Sequence, residues 1–161
     1  MTYSDDQILN WQRDQYEHDM KYHFDILSLN RSSRLKHYAL HFAKYAGRVA
    51  RGDEEQKSLV DTVTDALLVS LSTANAIQQK LEHSPEKSNG AFFIRLTDAA
   101  GRIGDAAEKI DHLEPFLEIA KRGNQDIFDA LLDFGMAKAL NMDLLLNDRR
   151  KELRNRQFFI R

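Results

Sequence analysis

The chain contains no cysteine. That excludes a disulfide framework, a thiolate zinc site, an iron–sulfur cluster and a cysteine nucleophile, and it fits a reducing compartment. Only two prolines and seven glycines punctuate 161 residues, so turns are few and the segments between them are long. No apolar run approaches the roughly 20 residues that span a bilayer, and no membrane partner is expected. The first residues, MTYSDDQILNWQRDQYEHD, lack the apolar centre of a secretion signal, which makes the cytoplasm the expected compartment. Neither sign of charge dominates. A balance of 23 basic against 25 acidic side chains gives a formal net charge of −2, too weak a field to favour nucleic acid or an anionic membrane. A Gly-rich phosphate loop, a dinucleotide fingerprint, a Ser/His/Asp order and an HExxH pair are all missing.

What is present is helical periodicity. The length suits one domain with a core of its own. The first helix is predicted from Ser4, a cap followed by Asp5 and Asp6, to Leu29. A second runs from Arg34 to Arg51 with Ser33 as cap, carrying Leu35, Tyr38, Phe42, Tyr45 and Val49 on one face. The third spans Glu54 to Leu81, with an apolar stripe from Leu59 to Leu81. His83 to Gly90 has loop composition and reads as the hinge between two halves.

A fourth helix starts near Ala91 and stops before Pro115. Gly123 ends the short piece that follows. Asn124 caps the fifth helix, in which Gly135 costs about 1 kcal/mol relative to Ala unless a neighbour approaches closely there. A last helix carries Leu144, Leu145 and Leu153. The fold class is therefore all-α, a bundle of five to six helices. Residues 1–32 form an N-terminal helix, 33–83 a first hairpin, 91–146 a second hairpin and 147–161 a basic tail. Ala46-Gly47-Arg48-Val49 is echoed by Ala100-Gly101-Arg102-Ile103, and Asp61 with Asp65 by Asp129 with Asp133. Duplication of a hairpin explains this, and so does the use of Ala-Gly on close-packed helices.

Chemistry is concentrated in carboxylates. Asp105 and Glu108 share a face of the fourth helix, and Asp126 and Asp129 share a face of the fifth. If these helices pack antiparallel, four carboxylates converge and require a cation. Mg²⁺ suits them, because it takes oxygen ligands and keeps waters that a phosphate can replace. Paired acids three apart on a helix are equally the pattern of a solvated face.

Asp105-Ala-Ala-Glu108, seventeen residues, then Asp126-Ile-Phe-Asp129 resembles the motif of the all-α MazG-like nucleotide pyrophosphohydrolases. The following ALLDFGMAKALNMDL is similar to the apolar helix and closing turn after that motif, and Leu59 to Ile77 resembles the same helix again. The resemblance implies a helical bundle, a dimer or a dimer mimic, and Mg²⁺-dependent cleavage of a nucleoside triphosphate to monophosphate and pyrophosphate. It places Mg²⁺ on Asp105, Glu108, Asp126 and Asp129, and phosphate on Lys44, Arg48, Arg102 and Lys109. Two positions depart from it by a methylene, Asp105 and Asp126 standing for glutamates. In the first half, Lys44 and Arg48 stand where acids are expected. Such a half can bind phosphate through those cations, or serve packing and interaction alone.

Histidines offer a rival. His37 and His41 are four apart, and His18 and His23 flank Asp19; an i, i+4 pair can chelate a transition metal. A structural role is the plainer reading. The cluster Arg149, Arg150, Lys151, Arg154, Arg156 and Arg161 suits the negative end of a last helix. Phe158, Phe159 and Ile160 suit docking on the bundle or on a second subunit.

Overall fold

A computed structural model describes residues 3–84 and 90–155. Among the described residues there are seven α-helices, a short 3-10 turn and no strand. The helices are α1 (Asp5–Tyr22), α2 (Phe24–Leu27), α3 (Arg31–Arg51), α4 (Leu59–Ala76), α5 (Phe92–Asp111), α6 (Leu117–Ala137) and α7 (Met142–Arg154).

Short polar side chains set most of the starts. Ser4 accepts from the Gln7 amide and Ser58 from the Asp61 amide, at 3.2 and 3.0 Å. Asn141 accepts from the Leu144 amide at 3.1 Å. Each satisfies a first-turn N–H that the helix cannot pair itself. The cap of α3 is Asn30, which accepts from the Ser33 amide at 2.8 Å, rather than Ser33.

Several boundaries differ from expectation. The first predicted helix breaks at His23, and α2 is a single turn. The third ends at Ala76, and the chain then runs extended along α1. There Gln12 Oε1 accepts from the Leu81 amide at 3.0 Å and Gln12 Nε2 donates to the Gln79 carbonyl at 2.9 Å. Gln78, Leu113 and Ala139, just past α4, α5 and α6, take positive φ without being glycine. The amides of Gln79, Glu114 and Leu140 reach back five residues to satisfy free carbonyls. Pro115 marks the stop of α5 in the sequence, as expected, whereas no glycine or proline marks those of α4 and α6.

Gly123 does not end a helix; α6 passes straight through it. A methyl group there would meet Ile103 Cδ1 at 3.2 Å and the Ala99 carbonyl at 3.3 Å, so Gly123 is where α6 touches the backbone of α5. Gly135 fills the neighbour condition set for it, because a methyl group would lie 2.7 Å from Met142 Sδ. Gly104 faces open space. Gly123→Ala should lower the melting temperature, since crowding of about 1–3 kcal/mol exceeds the roughly 1 kcal/mol gained in helix propensity. Gly104→Ala should raise it. Equal shifts in thermal denaturation would contradict this placement.

α3 pairs with α4, and α5 with α6; α3 also packs on α5 and α4 on α6. The two hairpins thus form a four-helix core, with α1 and α7 laid over α4. Phe42, Leu67, Leu71, Ile103, Phe128 and Leu131 are fully buried in it. α4 is enclosed by α1, α3, α6 and α7, so Thr62, Thr64, Ser70, Ser72 and Thr73 are buried despite being polar. Thr64 and Thr73 hydroxyls donate to the carbonyls four residues earlier, at 2.8 and 2.7 Å. Neither repeated glycine mediates helix contact: Gly101 faces open space and Gly47 meets only Arg51 of its own helix. Of the second pair it is Ala100, and not Gly101, that packs in the core. No helix among the described residues is long and apolar enough to cross a membrane.

Candidate functional site

The four predicted metal-binding acids do not share a site. α5 buries Leu96, Ala99, Ile103 and Ala106, which turns Asp105 and Glu108 to its exposed face. There Asp105 pairs with Lys109 at 3.8 Å and Glu108 with His112 at 2.9 Å. Asp126 pairs with Arg102 at 3.5 Å. Asp129 is half-buried and accepts from the Ser84 amide and Gln125 Nε2, at 3.3 and 3.2 Å. Its carboxyl is pushed up to about 6, chiefly by burial, with Asp133 and Asp126 adding repulsion. Among the described residues, no group of three or more His, Cys, Asp or Glu is placed to hold a metal ion. Arg102 and Lys109, predicted to contact phosphate, neutralise these surface acids instead.

The structure brings together a different set. α1, α2, α3, α4 and α7 line a half-open cavity of about 230 Å³. Lys44 and Arg48, the other two predicted phosphate ligands, both line it, as do His37, His41 and Tyr45 from the same face of α3. Lys57 enters from the segment before α4, and Arg149 from α7. Asp65 is their hub. It accepts from Lys57 Nζ at 2.5 Å and from Arg149 Nε at 2.7 Å. Burial pushes its carboxyl up, but the hydrogen bonds from Lys57 and Arg149 outweigh that and hold it below the ordinary range.

Charge in this wall is not balanced. Four cations, Lys44, Arg48, Lys57 and Arg149, face Asp65, with Glu152 taking a second bond from Arg149 at 2.6 Å. Arg48 Nη1 stands 3.7 Å from Asp65, too far for a hydrogen bond, and is buried without a partner among the described residues. Lys44 makes no ion pair among the described residues. Its ammonium donates to His41 Nδ1 at 3.0 Å and lies 4.9 Å from the centre of the Tyr45 ring. Burial, then Arg48, lowers its affinity for a proton.

That ammonium fixes the tautomers behind it. It can only donate, so His41 Nδ1 accepts. A neutral His41 then carries its proton on Nε2, facing His37 Nε2 at 3.1 Å. Burial disfavours the charged form of both rings: His41 is brought down to about 4 by burial and then by Lys44, and His37 is lowered mainly by burial. The predicted histidine pair is thus a hydrogen-bonded couple on the cavity wall.

At the far end the lining carries a carboxyl group in place of cations. Asp19 accepts from Ser72 Oγ at 2.5 Å and from Gln15 Nε2 at 2.9 Å. Burial raises its carboxyl. Arg150, expected in a surface tail, is buried and donates to Gln15 Oε1 at 3.0 Å and to the Trp11 carbonyl at 3.1 Å. Arg149 and Arg150 therefore serve the interior. Arg156, Phe158, Phe159, Ile160 and Arg161 lie outside the described residues, as do residues 85–89 of the predicted hinge.

Lys57, Arg149 and Asp19 were not legible as site residues, because they are brought in from separate elements. His37, His41, Lys44, Tyr45 and Arg48 carry a signal: one helical face alternating rings and cations. The site defines an all-α bundle with a half-open, electropositive pocket between α3 and α7. No protein-family model, curated protein or solved structure matches the chain.

Proposed function

We propose that this chain binds a small phosphate-bearing ligand in the cavity of its first half. It would be a descendant of the pyrophosphohydrolase-like bundle that keeps phosphate recognition where the acids have been replaced. One observation carries the reading. Lys44, at the exposed rim, and the partly buried Arg48 line a half-open cavity where cations outnumber carboxylates, and neither has its hydrogen-bonding capacity filled by an acid. Charge-assisted bonds from such donors are the strong ones, and an anion is their natural partner. The volume limits the ligand. At about 230 Å³ the cavity is smaller than the roughly 300–1,000 Å³ of a drug-sized pocket, which suits one phosphate on a short body.

Calorimetry with inorganic phosphate and a nucleoside monophosphate tests this. Arg48→Ala is expected to weaken binding about 10- to 100-fold, the equivalent of a lost hydrogen bond to a charged group. Binding should also fall as salt rises. Absence of heat with either ligand, confirmed by unshifted NMR resonances of α3, would end the proposal.

A second reading has its own observation. Asp129, raised to about 6 beside Asp126 and Asp133, is the kind of carboxyl a cation would reclaim. In that reading the chain is a Mg²⁺-dependent nucleoside triphosphate pyrophosphohydrolase. The exposed Asp105 and Glu108 would gain company through a dimer. Pyrophosphate release from nucleoside triphosphates with Mg²⁺, abolished by Asp129→Asn, would favour it. Sedimentation as a monomer without release would exclude it.

A further inference from the structure

We infer that the cavity's ligand is a phosphate monoester whose body carries hydroxyl groups, with its phosphate at the Lys44–Arg48 end and its hydroxyls on Asp19. This rests on the phosphate-binding reading above and extends it to the other end of the same cavity.

The two ends are set apart by helix geometry. Asp65 and Ser72 lie seven residues apart on α4, roughly 10 Å along the axis. Tyr38 and Tyr45 repeat that interval on α3. Asp19 is pinned at the level of Ser72 by the 2.5 Å bond from its hydroxyl, while Arg48, Lys57 and Arg149 gather at the level of Asp65. Between the ends the lining on α4 is Leu68 and Val69, with Leu153 from α7. A bound molecule therefore meets cations at one end, leucines facing the His37–His41 couple in the middle and the Asp19 carboxyl at the other. A pentose- or hexose-sized body fits that sequence of surfaces, its C–H face against the leucines.

Asp19 is prepared to accept rather than to pair with a charge. It is almost wholly buried, yet it borders the cavity. Arg150 does not bond to it; the guanidinium is spent on Gln15 Oε1 and the Trp11 carbonyl. That contact fixes the Gln15 amide so that its NH₂ points at Asp19 and Ser72. Two bonds are accepted, one on each oxygen, where a carboxylate offers about four sites. About two remain, which is the capacity a vicinal diol needs. Carboxylates take the ribose hydroxyl of dinucleotides in the same way.

Calorimetry on the full chain would compare inorganic phosphate, ethyl phosphate, ribose 5-phosphate and a nucleoside monophosphate. Ribose 5-phosphate is expected to bind about tenfold or more tightly than ethyl phosphate, which lacks hydroxyls. Asp19→Asn should bring that ratio to about one, with circular dichroism checking the fold. Should Asp19→Asn not fold, Ser72→Ala, which unpins the carboxylate, should shrink the ratio instead. A nucleoside monophosphate tighter than ribose 5-phosphate marks a nucleotide as the source, and a weaker one marks a sugar phosphate. Equal affinity for ethyl phosphate and ribose 5-phosphate would overturn the hydroxyl assignment and leave the phosphate pocket standing. No binding by any of the four, inorganic phosphate included, would overturn both.

Discussion

Replacing Asp65 by Asn should cost the folded chain about 3 kcal/mol, the lower end of the roughly 3–5 kcal/mol for breaking a buried ion pair. The amide keeps the shape and one acceptor, but it removes the charge that holds Lys57 and Arg149 and faces Arg48. Those cations would then be left beside Lys44 in a half-closed cavity. At this chain length the loss corresponds to a fall of about 6–12 °C in melting temperature.

The effect should depend on pH in a defined direction. The folded carboxyl is held below its ordinary value, so its stabilisation is complete above the unfolded value near 3.9. It is lost as pH falls through the folded value. Denaturant titrations of wild type and Asp65→Asn should therefore converge as pH is lowered from 6 toward 3. Phosphate supplies a second handle. An anion that binds only the folded state stabilises it, and the variant, with one negative charge fewer in the wall, should gain more from added phosphate than wild type. A difference that persists unchanged to pH 3, or equal rescue of both proteins, would contradict the role given to Asp65.

Asn124→Ala should be nearly as damaging, at about 3 kcal/mol. The side chain is fully buried between α6 and α4. Its Nδ2 donates to the Ser70 carbonyl at 3.1 Å and to Gln79 Oε1 at 3.0 Å, and its Oδ1 accepts from Ser70 Oγ at 3.0 Å. Truncation leaves a hydroxyl and an amide oxygen without partners and opens a void beside them. A double-mutant cycle with Ser70→Ala isolates the shared part. Because both lose the same bond, the pair should be less destabilised than the sum by about 1 kcal/mol or more. Additive losses would show that Asn124 acts through packing alone.

The helical class was legible from spacing. Leu35, Tyr38, Phe42 and Tyr45 recur at three and four, and all are buried where that rhythm puts them. Asn124 shows where local reading stops. Beside Gly123 it reads as a cap, a role decided by nearby backbone amides. In the folded chain its partners are 45 and 54 residues away, and nothing local announces them. Gly123 followed the same course, from helix stop to contact point. The carboxylate pairs failed to converge for a related reason. A spacing of three fixes that Asp105 and Glu108 share a face, but not which face turns toward α6. That was decided by Ala99, Ile103 and Ala106, the smaller and more apolar side of α5. Lys44 and Arg48, by contrast, were identifiable as phosphate candidates and do line a cavity, because they lie on the same side of α3 as Tyr38 and Tyr45.

By itself the sequence determined an all-α chain without thiol chemistry or an apolar span, since composition and period act within a few residues. Only the tertiary structure decided which charges meet. Lys57, Asp65 and Arg149 come from three separate elements, and α4 becomes their common wall because it is buried on several sides at once. Burial then sets the chemistry. It leaves the α5 acids in water with local partners, and it gathers Arg48, Lys57 and Arg149 around Asp65 on a cavity wall where cations outnumber carboxylates.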